Sequence, residues 1–189
     1  FWGPSPGGLA SNGYNGHVFW DAETWMYPTI AILYPDIANS FLMYRYYRMQ
    51  GAIEKAQSYD AGYEGTMYPW ESAFTGEEVC PTSAPTGLLE QHISGDIAFA
   101  IQTYWTLSQN KTWLEEFGSP MLNGIATFWA SRVEVNGSQY LINGVIPPDE
   151  YAVNINNSIY TNYVASLSLR YATDACQIVS GCVPDDIWT

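Results

Sequence analysis

Apolar residues recur at three- and four-residue steps through most of this chain, and that spacing constrains its fold more than any other feature. Ile93, Ile97, Ala100, Ile101 and Tyr104 fall on one stripe and predict a helix over residues 90–107. Met121, Ile125, Phe128, Trp129 and Arg132 repeat the pattern after Pro120, a residue suited to a first helical turn. Residues 158–179 predict a last long helix, with Ile159, Val164, Leu167, Tyr171 and Ala175 inside. Near the start, Trp25, Met26, Ile30, Ile32 and Leu33 predict a short buried helix over 24–33, interrupted by Pro28. Asp36 is placed to cap the next helix, which carries Ile37, Phe41, Tyr44 and Arg48 and ends near Gly51 or continues to Tyr59. Strand-like alternation is scarce, and residues 140–145 read as a short strand or an extended arm. The class is therefore mainly α, with helix pairs joined by long loops.

The loops carry the chemistry. In Val145-Ile146-Pro147-Pro148-Asp149-Glu150-Tyr151, two prolines precede two carboxylates. Proline fixes φ, so this approach is stiff, and a carboxylate at its end is held in place as a general acid must be. The competing reading is a surface Asp-Glu pair in an ordinary turn. Asn154, Asn156, Asn157, Tyr160, Thr161, Asn162 and Tyr163 follow, and amides and phenols of this kind satisfy sugar hydroxyls. Trp20, Asp21, Glu23 and Trp25 form an earlier cluster, and Trp70 with Glu71 a third, within a Gly-, Pro- and Thr-rich loop over 61–88. A loop of that length in a compact domain is usually functional. Sugar rings have apolar C–H faces that stack on indole and hydroxyl rims that bond carboxylates. One such cluster reads as core with incidental acids, but three along one chain read as a carbohydrate cleft.

The charge balance narrows the partners. With 19 acidic and 6 basic residues, the formal net charge is −13. Nucleic acid and anionic membrane both need clustered Lys and Arg, so neither is expected, and no apolar run reaches the ~20 residues of a membrane span. Acidity and the sequons at Asn110, Asn136 and Asn156 favour a secreted or a vacuolar or lysosomal location, with the cytoplasm still open. Asn156 sits beside the candidate site, where a glycan would obstruct substrate. No Cys or His spacing suggests a metal, and no cofactor is expected. Cys176 and Cys182 are close enough to bridge around Gly181, although spacing alone does not establish the bond.

Four segments occur in order: Gly16-His17-Val18-Phe19-Trp20-Asp21-Ala22-Glu23-Thr24-Trp25-Met26; Trp70-Glu71-Ser72-Ala73 with Thr75-Gly76; Glu90-Gln91-His92-Ile93; and Pro148-Asp149-Glu150-Tyr151 with Asn157 and Tyr160-Thr161-Asn162. Together they resemble the catalytic domain of glycoside hydrolase family 65, across nearly the whole chain. The family holds acid trehalases, disaccharide phosphorylases such as maltose phosphorylase, and glucosidases acting on the glucosyl-galactosyl unit of collagen hydroxylysine. Trp70-Glu71-Ser72-Ala73, Glu78-Val79-Cys80-Pro81 and Pro147-Pro148-Asp149-Glu150 are most similar to the collagen-type branch, which implies glucose removal from a glucosyl-galactosyl unit, with trehalose hydrolysis, disaccharide phosphorolysis or a non-catalytic sugar-binding fragment as the alternatives.

The resemblance implies that residues 1–189 are one partial domain, about the first half of an (α/α)6 barrel. It also implies a preceding β-sandwich and later barrel helices outside this stretch. Half a barrel would leave stripes such as Phe128 with Trp129 and Ile97 with Ile101 facing water, so the isolated chain is expected to aggregate and to be inactive. By the same resemblance Glu150 is the proton donor, which the stiff Pro-Pro approach and aromatic neighbours are expected to hold partly desolvated, and Asp21 and Trp20 bind the sugar at the cleaved bond. Trp70 and Glu71 make further sugar contacts, and His92 stands at a barrel-helix start, either at the substrate or as a hydrogen-bonded structural residue. The rival role for Asp21 is a helix N-cap. The family inverts the anomeric centre, which needs a second carboxylate roughly 6.5–9.5 Å from the acid. Its base lies well downstream of the acid, and Asp174, Asp185 and Asp186 carry no matching motif. Phosphorylases of the family commonly carry His after the Asp-Glu-Tyr, where this chain has Ala152, which favours hydrolysis.

Overall fold

The computed structural model describes residues 1–11, 13–59, 62–180 and 182. Eight α-helices are seen among them, with one two-stranded hairpin. A π-helical turn, Ala22–Met26, runs into α1 (Tyr27–Leu33). Pro28 lies in the first turn of α1, just after the junction with the π-helical turn, and the helical path continues through it to Leu33. Only Tyr27 and Ala31 of α1 are buried, whereas Trp25, Ile32 and Leu33 are exposed. The expected buried helix is thus a half-buried one, because nothing among the described residues covers its outer face.

Pro35 opens α2 (Pro35–Tyr46), whose N-cap is Tyr34. Asp36 falls inside the first turn and makes no capping bond, so it contributes only its charge at the positive helix end. After a break at Tyr47 and Arg48 the chain forms α3 (Met49–Ser58). Gly51 therefore lies within α3 and ends no helix. Its bare backbone is needed there, since a Cβ would stand 2.5 Å from the Gly76 carbonyl oxygen of the crossing loop.

That loop is irregular, as expected, until the single turn of α4 (Thr86–Leu89). The apolar stripe forms α5 (Ile93–Ser108). A short α6 (Lys111–Trp113) follows, capped by Asn110, whose side chain accepts the Trp113 N–H at 3.0 Å. A second π-helical turn, Leu114–Gly118, leads into α7 (Ser119–Arg132), with Pro120 in its first turn. Strands β1 (Glu134–Asn136) and β2 (Gln139–Leu141) pair antiparallel around Gly137, which sits at φ 63°. Only the second of these strands was expected. Ser158 caps α8 (Ile159–Ile178) by accepting the Thr161 N–H.

α8 packs on α7 and α5, and α5 packs on α1 and α2. At the α5–α8 crossing Gly95 admits Val164, whose Cβ would otherwise be 2.6 Å from a side chain at position 95. Ile159 is exposed, not inside, while Val164 and Ala175 are buried. Phe128, Trp129, Ile97 and Ile101 are each 0% exposed. The expectation that these stripes would face water is wrong, because the helices of this stretch bury them against one another. Uncovered apolar side chains lie instead on the other side of α1, at Ile32 and Leu33, at Phe99 and Leu107 of α5, and at scattered positions such as Phe74, Leu88 and Ile159. Cys176 and Cys182 form a disulfide, and Cys80 is free. No helix among the described residues is long and apolar enough to cross a membrane.

Candidate active site

Two irregular segments meet above the N-terminal end of α5. Val18 and Ser72 exchange backbone hydrogen bonds at 2.8 and 2.9 Å. That bridge lays Trp20-Asp21 beside Trp70-Glu71, with the two indoles 6.4 Å apart and tilted by 33°. Trp20 is half-buried, and Trp70 and Glu71 are largely buried. His17 Nδ1 lies 2.7 Å from Glu71 Oε1 and fixes that carboxylate from one side.

Asp21 is half-exposed and occupies the N-cap position of the Ala22–Met26 turn, but its side chain makes no capping bond. Burial pushes its carboxyl up, against a backbone hydrogen bond. Glu23 of the same sequence cluster points the other way. It is buried in a two-pronged pair with Arg45 of α2, at 2.7 and 3.0 Å. That pair anchors the Trp20–Asp21 turn to α2 and is not available to a sugar.

His92 is fully buried beneath both indoles, 4.8 Å from the Trp20 ring and 5.6 Å from the Trp70 ring. Its Nδ1 lies 2.6 Å from Asp96 Oδ2 and its Nε2 3.3 Å from Glu90 Oε1. Tyr160 of α8 donates to the other Asp96 oxygen at 2.6 Å. With no exposed edge, His92 supports the indoles from below in this conformation. Burial opposes its charged form, but the hydrogen bonds and charges of Asp96 and Glu90 prevail and push it up to about 9. Burial pushes Glu90 up to about 7, against the His92 hydrogen bond, and the negative charges of Glu150 and Asp96 add to the rise. Glu90 Oε2 is buried with no hydrogen-bond partner among the described residues.

Glu150 is exposed on a turn, in an open depression lined by Pro148, Asp149, Glu150 and Tyr151. The expected partial desolvation is absent here, since nothing among the described residues covers the tip. The approach is nonetheless stiff. Val145 and Ile146 are 0% exposed, Val145 and Ile155 exchange two hydrogen bonds at 2.9 Å, and the Ile146 N–H donates to the Leu89 carbonyl. Arg132 ties the same loop to the His92 turn, donating to Gln91 Oε1 at 2.8 Å and to the Asn143 carbonyl. Asn156 and Asn157 accept the Gly144 and Ile142 N–H groups at 3.1 Å. Their side-chain oxygens brace the acid loop, while their amide NH2 groups make no hydrogen bond among the described residues.

The geometry thus brings Trp20, Asp21, Trp70, Glu71 and His92 together, and sets the Glu150 loop against Glu90. Asp96 was missed from sequence, although the i, i+4 spacing from His92 to Asp96 on a helix was a legible signal. Asp174 lies exposed on α8, away from this cluster in sequence and motif, and Asp185 and Asp186 lie outside the described residues. Among the described residues no group of three or more His, Cys, Asp or Glu could hold a metal ion.

The family resemblance is matched by comparison with known proteins. The glycosyl hydrolase family 65 central catalytic domain matches residues 4–183, and the chain belongs to that family. It is 52% identical, over its whole length, to the protein-glucosylgalactosylhydroxylysine glucosidase of Dictyostelium discoideum. It is 48% identical over 98% of its length to the kojibiose hydrolase of Flavobacterium johnsoniae. In each case it spans 27% of the relative. A solved structure from the human microbiome, provisionally assigned as a kojibiose phosphorylase, superposes over 91% of this chain and 25% of its own. The TM-score is 0.82 at 26% identity. The chain is therefore a mainly helical part of a family 65 catalytic domain.

Proposed function

We propose that the protein containing this chain is an inverting α-glucosidase that removes glucose from a glucosyl-galactosyl unit such as that on collagen hydroxylysine. The observation that carries this reading is the paired indole platform of Trp20 and Trp70, edged by Asp21 and Glu71. Glucose lies against the indoles, and the two carboxylates bond its hydroxyls. Glu150 protonates the leaving oxygen from the loop set against Glu90. A carboxylate supplied from outside these residues activates water on the opposite face. His92, Asp96 and Tyr160 hold the platform from below. The eight helices form part of a larger (α/α)6 toroid, and Asn110 and Asn136, both exposed, are the glycosylation sites.

The 52% identity to a glucosylgalactosylhydroxylysine glucosidase supports this substrate, and Ala152 after Asp-Glu-Tyr supports water over phosphate as the acceptor. A second reading, kojibiose hydrolysis, is favoured by the 48% identity to a kojibiose hydrolase. Glucose release by the full-length protein from glucosyl-galactosyl-hydroxylysine, kojibiose and trehalose, with and without phosphate, separates the readings. The proposal expects the first substrate to be preferred, no phosphate requirement and β-glucose as first product by NMR. Phosphate-dependent glucose 1-phosphate formation would overturn it.

A further inference from the structure

The backbone of Trp70 and Glu71 hangs on one carboxylate that the proposed chemistry does not use. Glu78 Oε2 accepts the Trp70 N–H at 2.7 Å and the Lys55 ammonium at 2.6 Å. Its Oε1 accepts the Glu71 N–H at 3.0 Å and the Cys80 N–H at 3.1 Å. A carboxylate offers about four lone-pair sites, so Glu78 is saturated. Lys55, buried on α3, also donates to the Gly87 carbonyl of α4 at 2.9 Å. One ion pair therefore ties two helices to the segment that carries the indole and the acid of the platform. Burial pushes the Lys55 ammonium down, and the charge and hydrogen bond of Glu78 oppose that shift. The loop returns from Glu71 to Glu78 through Gly76 at φ 85°, and the Val79 N–H donates back to the Glu71 carbonyl at 3.1 Å. With His17 on its carboxylate, Glu71 is gripped at both ends.

We infer that the Lys55–Glu78 pair is a positioning device that sets Trp70 and Glu71 against the bound sugar. The inference rests on the reading that those two residues contact glucose. A glutamine at 78 keeps the shape but turns one acceptor oxygen into a donor. At least one backbone N–H of the platform segment then faces another donor. The platform tilts or loosens, and the contacts it makes with the sugar weaken.

The test uses the full-length protein and two substrates, the glucosyl-galactoside and α-glucosyl fluoride, whose leaving group needs no protonation. Glu78→Gln should raise KM for both by about 10- to 100-fold, the range expected for losing a charge-assisted buried hydrogen bond, with kcat changed less. Lys55→Gln, which leaves three backbone donors on the carboxylate, should raise KM about 3- to 10-fold, the span of a weaker bond. Glu150→Gln should spare the fluoride, which separates positioning from proton donation. KM within twofold of wild type in the folded variants, even with a lowered Tm, would overturn the inference and leave the pair purely structural. If Glu78→Gln does not fold, Lys55→Gln decides by the same criterion. If the wild type turns over neither substrate, the sugar-site reading falls, and the positioning role falls with it.

Discussion

The indole platform and the acid turn are built on different principles. At the platform, Trp70 and Glu71 are largely buried, each is held through backbone and side chain, and a saturated carboxylate with a buried lysine lies behind them. At the acid turn, the loop up to Pro147 is buried and hydrogen-bonded, and then Asp149, Glu150 and Tyr151 stand exposed. The difference teaches how the work of the site is divided. On the proposed reading, this stretch supplies the indoles and carboxylates of a sugar-binding surface and carries Glu150 on a stiff arm whose tip it leaves exposed. Nothing among the described residues covers Glu150, in a chain that spans about a quarter of its relatives' length.

The largest expected effect is on the acid arm. Glu150→Gln in the full-length protein should lower kcat on the glucosyl-galactoside by about 10²- to 10⁴-fold, the usual worth of a general acid. Near-normal hydrolysis would erase the distinction between the two regions. Next comes the platform edge. Asp21→Asn should lower kcat/KM by about 10²-fold if its bonds to the sugar tighten in the transition state, with little change in Tm. A fully active but less stable variant, by about 1 kcal/mol, would restore the helix-cap role that the absence of a capping bond argues against.

Smaller effects test the buried support. Tyr160→Phe removes the phenol from Asp96 and should cost about 1–2 kcal/mol by urea unfolding, as for a hydrogen bond to a charged group. A change within about 0.3 kcal/mol would show that the Asp96–His92 network does not depend on α8, below the usual range for such a bond. The same buried support should also show as a pH slope in stability. Glu90 sits at about 7 in the folded protein against an ordinary 4.5, so its contribution to stability is fully present below pH 4.5 and is lost as pH rises through 7. His92 is raised from 6.5 to about 9, so its contribution is complete below pH 6.5 and is lost as pH rises through 9. Both slopes run the same way, and Tm from these groups should fall from pH 5 to pH 9. Glu90→Gln should flatten the segment from pH 4.5 to 7, and an unchanged slope there would place the titration elsewhere.

Much of this was legible in the chain, and the parts that were not share a physical cause. The stripes of α5, α7 and α8 follow from residue spacing alone, because burial of one helix face is a local pattern. The π-to-α junction at Pro28 and the opening of α2 at Pro35 were not legible, because a proline at a π-to-α junction and one at a true helix start look alike until the preceding turn is known. Trp20, Asp21, Trp70 and Glu71 stood out because indoles lie beside acids there, and the fold brings the two segments together. Glu23 and Glu78 were not distinguished from such acids, since their partners Arg45 and Lys55 lie more than twenty residues away in sequence. That Asn156 and Asn157 brace the loop was not legible, because a backbone N–H and a sugar hydroxyl make the same demand on an amide oxygen.

The division between a completed platform and an open acid arm is tested most directly by product binding to the full-length protein. Titration calorimetry with glucose should give the Glu150→Gln variant a Kd within twofold of wild type. Asp21→Asn, at the platform, should lose at least about tenfold, roughly 1.4 kcal/mol. A tenfold loss in Glu150→Gln with an unchanged Asp21→Asn would contradict the account, because it would place glucose on the acid arm and not on the indoles.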